Sequence, residues 1–404
     1  MKYVIIIILF VSQTLFAQKI NSEDKKTLKT LKANIGFLAD DKLEGRRTGT
    51  IGEKLAYQFI ENEFKKAGIT TFLNNNYIQE FEVKNEKSEK KRIGHNVVGF
   101  INNNAVQTII LGAHYDHLGY GEDHNSLYAD TIPQIHNGAD DNASGTAALI
   151  EMAKWLKKTS YKKYNYLLVS FSGEELGLFG SKYFADNAGI DFKNINYMIN
   201  MDMIGRLNDS THGLTIGGYG TSPTWGKLIK KEDTNFKINI DSSGSGPSDH
   251  TSFYKKDVPV LFFFTGSHSD YHKPTDDADK INYKGELQII KYIQNIIAQT
   301  NDMDKLAFTK TREVSTGKSK YKTSLGIMPD YTFAGNGVLV DGVSENKPAK
   351  KAGLKIGDIV LQLGEHKVID VQTYMEALNK FNKGETTNVK VLRGKDELIL
   401  PVTF

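Results

Sequence analysis

Cysteine is absent from this 404-residue chain. That excludes disulfides, a thiol nucleophile, thiolate metal ligands and a lipid-modified N-terminal Cys. Charge of one sign is lacking as well: 51 Lys and Arg stand against 48 Asp and Glu, a net +3. So small a balance points to neither a nucleic-acid partner nor an acidic ligand. There is no internal repeat and no long low-complexity run, and the apolar stretch at the N-terminus is short for a spanning helix. What remains is 39% hydrophobic and 25% charged, the composition of a soluble globular protein. The length suits two domains, one of them with a large core.

The chain opens Met1-Lys2, runs almost wholly apolar from Tyr3 to Phe10, and reaches Leu15-Phe16-Ala17-Gln18. A basic start, an apolar core and a small residue before a polar one describe a secretory signal over residues 1–17, cut after Ala17. The expected product is exported, periplasmic or secreted in a bacterium, with no stable membrane anchor.

Over 18–304 the spacing predicts amphipathic helices at Ser22–Ala39 and near Gly52–Ala67, a charged exposed loop over Asn85–Arg92, and then apolar strands alternating with helices. The strands are Asn96–Ile101, Thr108–Ala113, Tyr166–Phe171, Tyr197–Met201, Leu214–Gly217 and Val258–Phe264. The later helices are Ala143–Lys158, Leu176–Ala185, Pro223–Lys231 and Tyr283–Gln299. This pattern predicts an α/β fold, a mostly parallel twisted sheet with helices on both faces. A basic stretch, 305–322, reads as a linker. Beyond it, 323–404 reads as a small β-rich domain with one strong helix at Val371–Asn379.

Acids and imidazoles gather where the apolar runs end. His114 follows Ile109-Ile110-Leu111, with Asp116 two residues on to orient its ring. Asp140-Asp141 precedes a helix, and two acids are more than a helix cap requires; a carboxylate bridging two cations explains the surplus. Glu174-Glu175 follows Leu167–Phe171, and neighbouring acids there suit different tasks, one binding metal and one moving a proton. Asp202 ends Tyr197–Met201, and His272 follows Leu261–Phe264 by a short polar loop. Each place has a bland explanation by itself, whereas five together point to a two-metal hydrolytic site. His117, His124, His136 and His268 have no ligand spacing and read as loop or rim residues. The Gly-rich run Ser242–Gly246 reads as a rim loop, since no Walker-type Lys follows it.

His114, the Gly-Ala-Asp-Asp-Asn-Ala-Ser-Gly run of 138–145, Ser172–Ser181, Asn200-Met-Asp-Met203, Ser248-Asp-His250 and Tyr271–Asp276 resemble the M28 family of co-catalytic zinc aminopeptidases. The resemblance implies two Zn²⁺ per chain, one held by His114 and Asp202, the other by Glu175 and His272, with Asp140 as the bridge. It implies Glu174 as general base, Asp116 as the partner of His114, and Tyr271 as a phenol that steadies the oxyanion. Asp141, Asp249 and His250 are implied as supporting residues, with a cis bond between Asp140 and Asp141. The substrates would be peptides with a free N-terminus, the amine held by Asp202 and Glu174. Residues 323–404 resemble a bacterial PDZ domain through Gly337–Ser344, Pro348-Ala349, Ala352-Gly353-Leu354 and Gly357–Val360. Its carboxylate loop would include Leu325, Gly326 and Ile327 and would take a peptide or protein C-terminus. A glutaminyl cyclase with a single zinc, a dipeptidase or carboxypeptidase of the same fold, and a non-catalytic binding relative are the alternatives.

Overall fold

The computed structural model describes residues 21–72, 75–83, 92–123, 125–128, 132–230, 235–311, 323–329, 333, 335–343 and 347–404. The expected signal, most of the charged stretch 85–92, His124 and residues 312–322 of the basic stretch lie outside the described residues. In chain order the strands are β1 (Thr70–Thr71), β2 (Ile78–Val83), β3 (Arg92–Ile101), β4 (Thr108–His114), β5 (Asn165–Phe171), β6 (Ile195–Met201), β7 (Gly213–Gly217), β8 (Lys237–Ile240) and β9 (Val260–Phe264). They form one sheet ordered β1-β3-β5-β4-β6-β9-β7-β8, with β2 also on β3. The run β5-β4-β6-β9 is parallel throughout, while β3 joins β5 and β7 joins β9 antiparallel.

The helices cover both faces, as the continuous apolar strands require. They are α1 (Ser22–Leu38), α2 (Ile51–Lys66), α3 (Gly145–Lys158), α4 (Phe179–Asn187), α5 (Trp225–Leu228), α6 (His250–Tyr254) and α7 (Tyr283–Thr300). Asn21 and Asp24 close a capping box at the start of α1, which satisfies two backbone donors the first turn leaves open. Leu31, Ile35 and Leu38 then fall on one buried stripe. They join Ala147, Ile150, Ile290 and Ile293 from α3 and α7 in the larger core. On the other face Phe171 of β5 packs with Phe184 of α4 and Phe253 of α6. Strands β1, β2 and β8 and helix α6 are additions to the elements read from sequence. The helix expected over 176–185 starts later, at Phe179, because Gly173 and Gly177 take positive φ in the turn before it. The one expected over 223–231 shrinks to the single turn of α5.

The C-terminal part forms its own sheet from β10 (Ile327–Pro329), β11 (Val338–Val343), β12 (Ile359–Leu363), β13 (His366–Lys367), β14 (Thr386–Arg393) and β15 (Asp396–Thr403), in the order β10-β11-β12-β14-β15. Helices α8 (Pro348–Ala352) and α9 (Val371–Leu378) complete it. Its separate core includes Leu325, Val338, Val360, Leu363, Tyr374 and Val391. Among the described residues no helix is long and apolar enough to cross a membrane.

One ion-pair cluster fastens the strap that leaves β4 to the rest of the domain. Asp123 accepts both forks of Arg47, at 2.7 and 3.0 Å, and both of Arg92, at 2.9 Å each. Burial pushes the Asp123 carboxyl up, but the two guanidiniums prevail and hold it at about 2. A carboxylate depressed below its unfolded value stabilises the fold above that unfolded value and loses the effect as pH falls toward the folded one. Asp123→Asn is therefore expected to cost about 1–2 kcal/mol at pH 7, discounted for partial exposure. Urea unfolding should show the gap between wild type and variant closing as pH drops from 4 to 2.

Candidate metal centre

The parallel strands deliver their end residues to one edge of the sheet, where open α/β folds collect reactive groups. His114 closes β4, Ser172 to Glu175 follow β5, and Asp202 follows β6. The turn 139–144 leads into α3, and a loop after β9 brings in Tyr271 and His272. The centre of the cluster is Asp141. Its Oδ1 stands 3.4 Å from His114 Nε2, and its Oδ2 stands 3.3 Å from His272 Nε2. Around the first oxygen, His114 Nε2 is also 3.5 Å from Asp202 Oδ1. Around the second, His272 Nε2 is 3.2 Å from Glu175 Oε2.

These separations test the fit to a cation. Donors bound at about 2.0–2.1 Å around a tetrahedral ion lie roughly 3.3 Å from one another. The observed 3.2–3.5 Å edges match that figure on both sides of Asp141. The donors are all imidazole or carboxylate, a set that suits Zn²⁺. His114, Asp141 and Asp202 form one candidate triad, and His117, Asp141 and Glu175 form another.

The acid between the two imidazoles is Asp141, not the Asp140 expected there. Asp140 lies in the same turn but points away from His114 and His272. Its Oδ1 accepts from Gly205 N at 2.6 Å and Ser144 Oγ at 3.1 Å, and its Oδ2 faces His268 Nε2 at 3.2 Å. Asp276 decides which acid faces inward: its Oδ2 accepts from the amides of both Asp140 and Asp141, at 2.9 and 3.0 Å. The cis bond also falls one residue later than expected, at Asp141–Asn142.

His117, read from sequence as a rim residue, is a buried member of the cluster. Its Nδ1 stands 2.9 Å from Glu175 Oε1, while Glu175 Oε2 faces His272. Gly138 makes room for this ring, since a Cβ there would come within 2.5 Å of it. His136 hydrogen-bonds Ser126 Oγ at 2.7 Å. The strap orients His272, whose Nδ1 meets Asn125 O at 2.8 Å.

Asp116 orients His114 through its backbone. His114 Nδ1 is 3.2 Å from the Asp116 carbonyl oxygen and 3.7 Å from the carboxylate. The carboxylate accepts instead from Thr48 Oγ1 and Glu174 N. Asp202 is held by Ser248 Oγ at 2.7 Å, the residue just before the two expected as supports. His250 stacks on Phe262, with centroids 4.6 Å apart. Tyr271 stacks on His272 at 3.9 Å.

Electrostatics separate the paired glutamates. Burial raises Glu174 well above the usual carboxylate range; His114 opposes this, and Asp249, Glu175 and Asp202 add to it. Glu175 is equally desolvated, but His272 and His117 hold it at about 2. Burial would lower His114, and it is overridden by Glu174 and Asp202, so the imidazole sits well above its ordinary value. His272 rises likewise against burial, through Glu175 and Asp141. Burial pushes Asp249 up to about 7. The site therefore draws positive charge to itself, as a cation-binding cluster does.

Behind the cluster lies Arg46, fully buried and outside the residues that sequence reasoning singled out. Its guanidinium donates to four carbonyls, those of Tyr115, Leu38, Asn137 and Gly138, at 2.5–2.9 Å. A turn arginine gives no periodic signal, so nothing local marks it. In the C-terminal domain Leu325 is buried, Gly326 has φ +80°, and Ile327 opens the edge strand β10.

The family model described as peptidase family M28 matches residues 96–297, and the one described as PDZ domain matches 309–403. The chain is similar to leupeptin-inactivating enzyme 1 of Streptomyces exfoliatus, 26% identical over 364 residues, covering 83% of this chain and 74% of that protein. It is also similar to aminopeptidase YwaD of Bacillus subtilis, 28% identical, over 40% of this chain and 37% of that protein. That second match spans little more than a third of the relative's length. Among solved structures, a Zn-dependent exopeptidase from Parabacteroides distasonis superposes with a TM-score of 0.55 at 17% identity, covering 67% of this chain and 97% of that one. A glutaminyl cyclase from Porphyromonas gingivalis does so with 0.54 at 15% identity, covering 68% and 98%. At these identities the two structures establish the shared fold.

Arg46→Met should destabilise the protein by about 3 kcal/mol, because several buried carbonyls lose their donor at once. Equilibrium unfolding in urea measures the loss.

Proposed function

Because the chain belongs to peptidase family M28 and carries a PDZ domain, we propose that it is an exported dizinc aminopeptidase that removes the N-terminal residue of peptides. The observation that supports this most is the division of Asp141, one oxygen facing His114 and the other facing His272. In this reading His114 and Asp202 hold one Zn²⁺, Glu175 and His272 hold the second, and Asp141 spans the pair. The ions, when bound, would supply Lewis acidity to the scissile carbonyl and acidify water.

The remaining roles fall to the chain's own groups. Glu174, its affinity for a proton raised by burial and by neighbouring acids, takes the proton of the attacking water and returns it to the leaving amine. Asp202 and Glu174 hold the substrate's free α-amine, which restricts cleavage to the chain's first residue. Tyr271, packed on His272, offers its phenol to the oxyanion. His117 positions Glu175 by engaging the oxygen that faces away from His272. In the C-terminal domain, a peptide terminus would add alongside the edge strand β10 with its carboxylate on the amides near Gly326.

Glu174→Gln is expected to keep two equivalents of zinc by elemental analysis while kcat falls by about 10²–10⁴. Undiminished turnover would refute the base. Asp141→Ala should lose both ions and Asp140→Asn should keep them; the opposite result would return the bridge to Asp140. One equivalent of zinc in the wild type, with cyclisation of N-terminal Gln, would overturn the aminopeptidase reading.

A further inference from the structure

The cavity over the metal centre has a volume of about 150 Å³ and extends past the acids to Met203, Gly217, Asp241, Phe262 and Phe264. Its far wall is set by strand register. Gly217 of β7 pairs with Phe262 of β9, and Asp241, just beyond β8, donates its amide to Ile216 O. Phe262, Gly217 and Asp241 thus form a row across three strands, and strand spacing puts Asp241 about 10 Å from Phe262. The middle position carries no side chain, and a Cβ on Gly217 would press on Phe262 at 3.1 Å. Phe262 and Phe264 stack at 5.8 Å, so an apolar wall leads from the acid cluster toward a carboxylate.

Asp241 has little other occupation. Its Oδ1 accepts from Ser243 N at 2.9 Å, and among the described residues no Lys, Arg or His makes an ion pair with it. Among the described residues no Lys or Arg lines the cavity. The side chain is exposed at the rim of the cavity, and partial desolvation by the neighbouring chain raises its carboxyl.

We propose that this cavity selects peptides whose first residue is Lys or Arg, the aliphatic stem lying on Phe262 and Phe264 over Gly217 and the cation meeting Asp241. The inference rests on the aminopeptidase reading and names the side chain which that reading leaves open. Both side chains carry a methylene stem that packs on apolar surface beneath a charged head. Leucine and other short side chains stop before Asp241.

The test compares kcat/KM for Lys, Arg, Leu and norleucine p-nitroanilides on the full zinc-loaded chain and on Asp241→Asn. Asparagine keeps the acceptor for Ser243 N and removes only the charge. The wild type should favour Lys over norleucine about two- to fivefold at low salt, and the variant should lose that ratio, the worth of one solvent-exposed ion pair. A wild type that prefers norleucine or Leu, or a variant with an unchanged ratio, overturns the inference while leaving the aminopeptidase intact. Cleavage of none of the four overturns the aminopeptidase reading, and this inference with it.

Discussion

The site depends on one carboxylate being shared. Asp141 is fully desolvated, and its two oxygens face different imidazoles on opposite sides. A buried acid in such a place is costly unless positive charge stands at both oxygens. The surroundings are built to that requirement. Asp276 clamps the two amides that set its direction, and Asn142 reaches across to Met201 O at 3.0 Å and so ties the turn to the end of β6. Ser248 and His117 steady the acids on either side. Arg46 adds positive charge from below without engaging any carboxylate directly.

That arrangement gives neighbouring acids different chemistry from nearly the same position in the chain. Glu174 and Glu175 are adjacent and both part-buried, but of the two only Glu175 meets imidazoles on each of its oxygens. Burial raises Glu174, and the charges of Asp249, Glu175 and Asp202 raise it further, which makes it the better proton acceptor. The two side chains are set apart by partners contributed from distant parts of the chain.

How much of this was legible beforehand follows from the range of each interaction. Buried parallel strands must be apolar along their length, so the runs before His114, Glu174 and Asp202 marked both the strands and their reactive ends. The capping residue Asn21 and the stripe of Leu31, Ile35 and Leu38 marked α1 in the same local way. The orientation of Asp140 against Asp141 was not legible, because it is decided by Asp276, 135 residues further on from Asp141. His117 was missed for a like reason: its partner lies 58 residues away, and the space for its ring comes from Gly138. Strands β2 and β8 alternate or are short, and at an edge the apolar signal fades.

The reversal between β9 and β7 has a consequence for how such an enzyme can diversify. Among the described residues, the imidazoles facing Asp141 come from the end of β4, the segment after it, and the loop after β9. The unit β7–β8 lies beyond the point where strand direction flips, and it contributes Gly217 and Asp241 to the cavity but no group to the acid cluster. Substitutions at Gly217 or Asp241 reshape one wall, but the loop that begins at Asp241 also carries Ser248, which holds Asp202. Selectivity can therefore drift on that wall only as far as the loop keeps Ser248 in place.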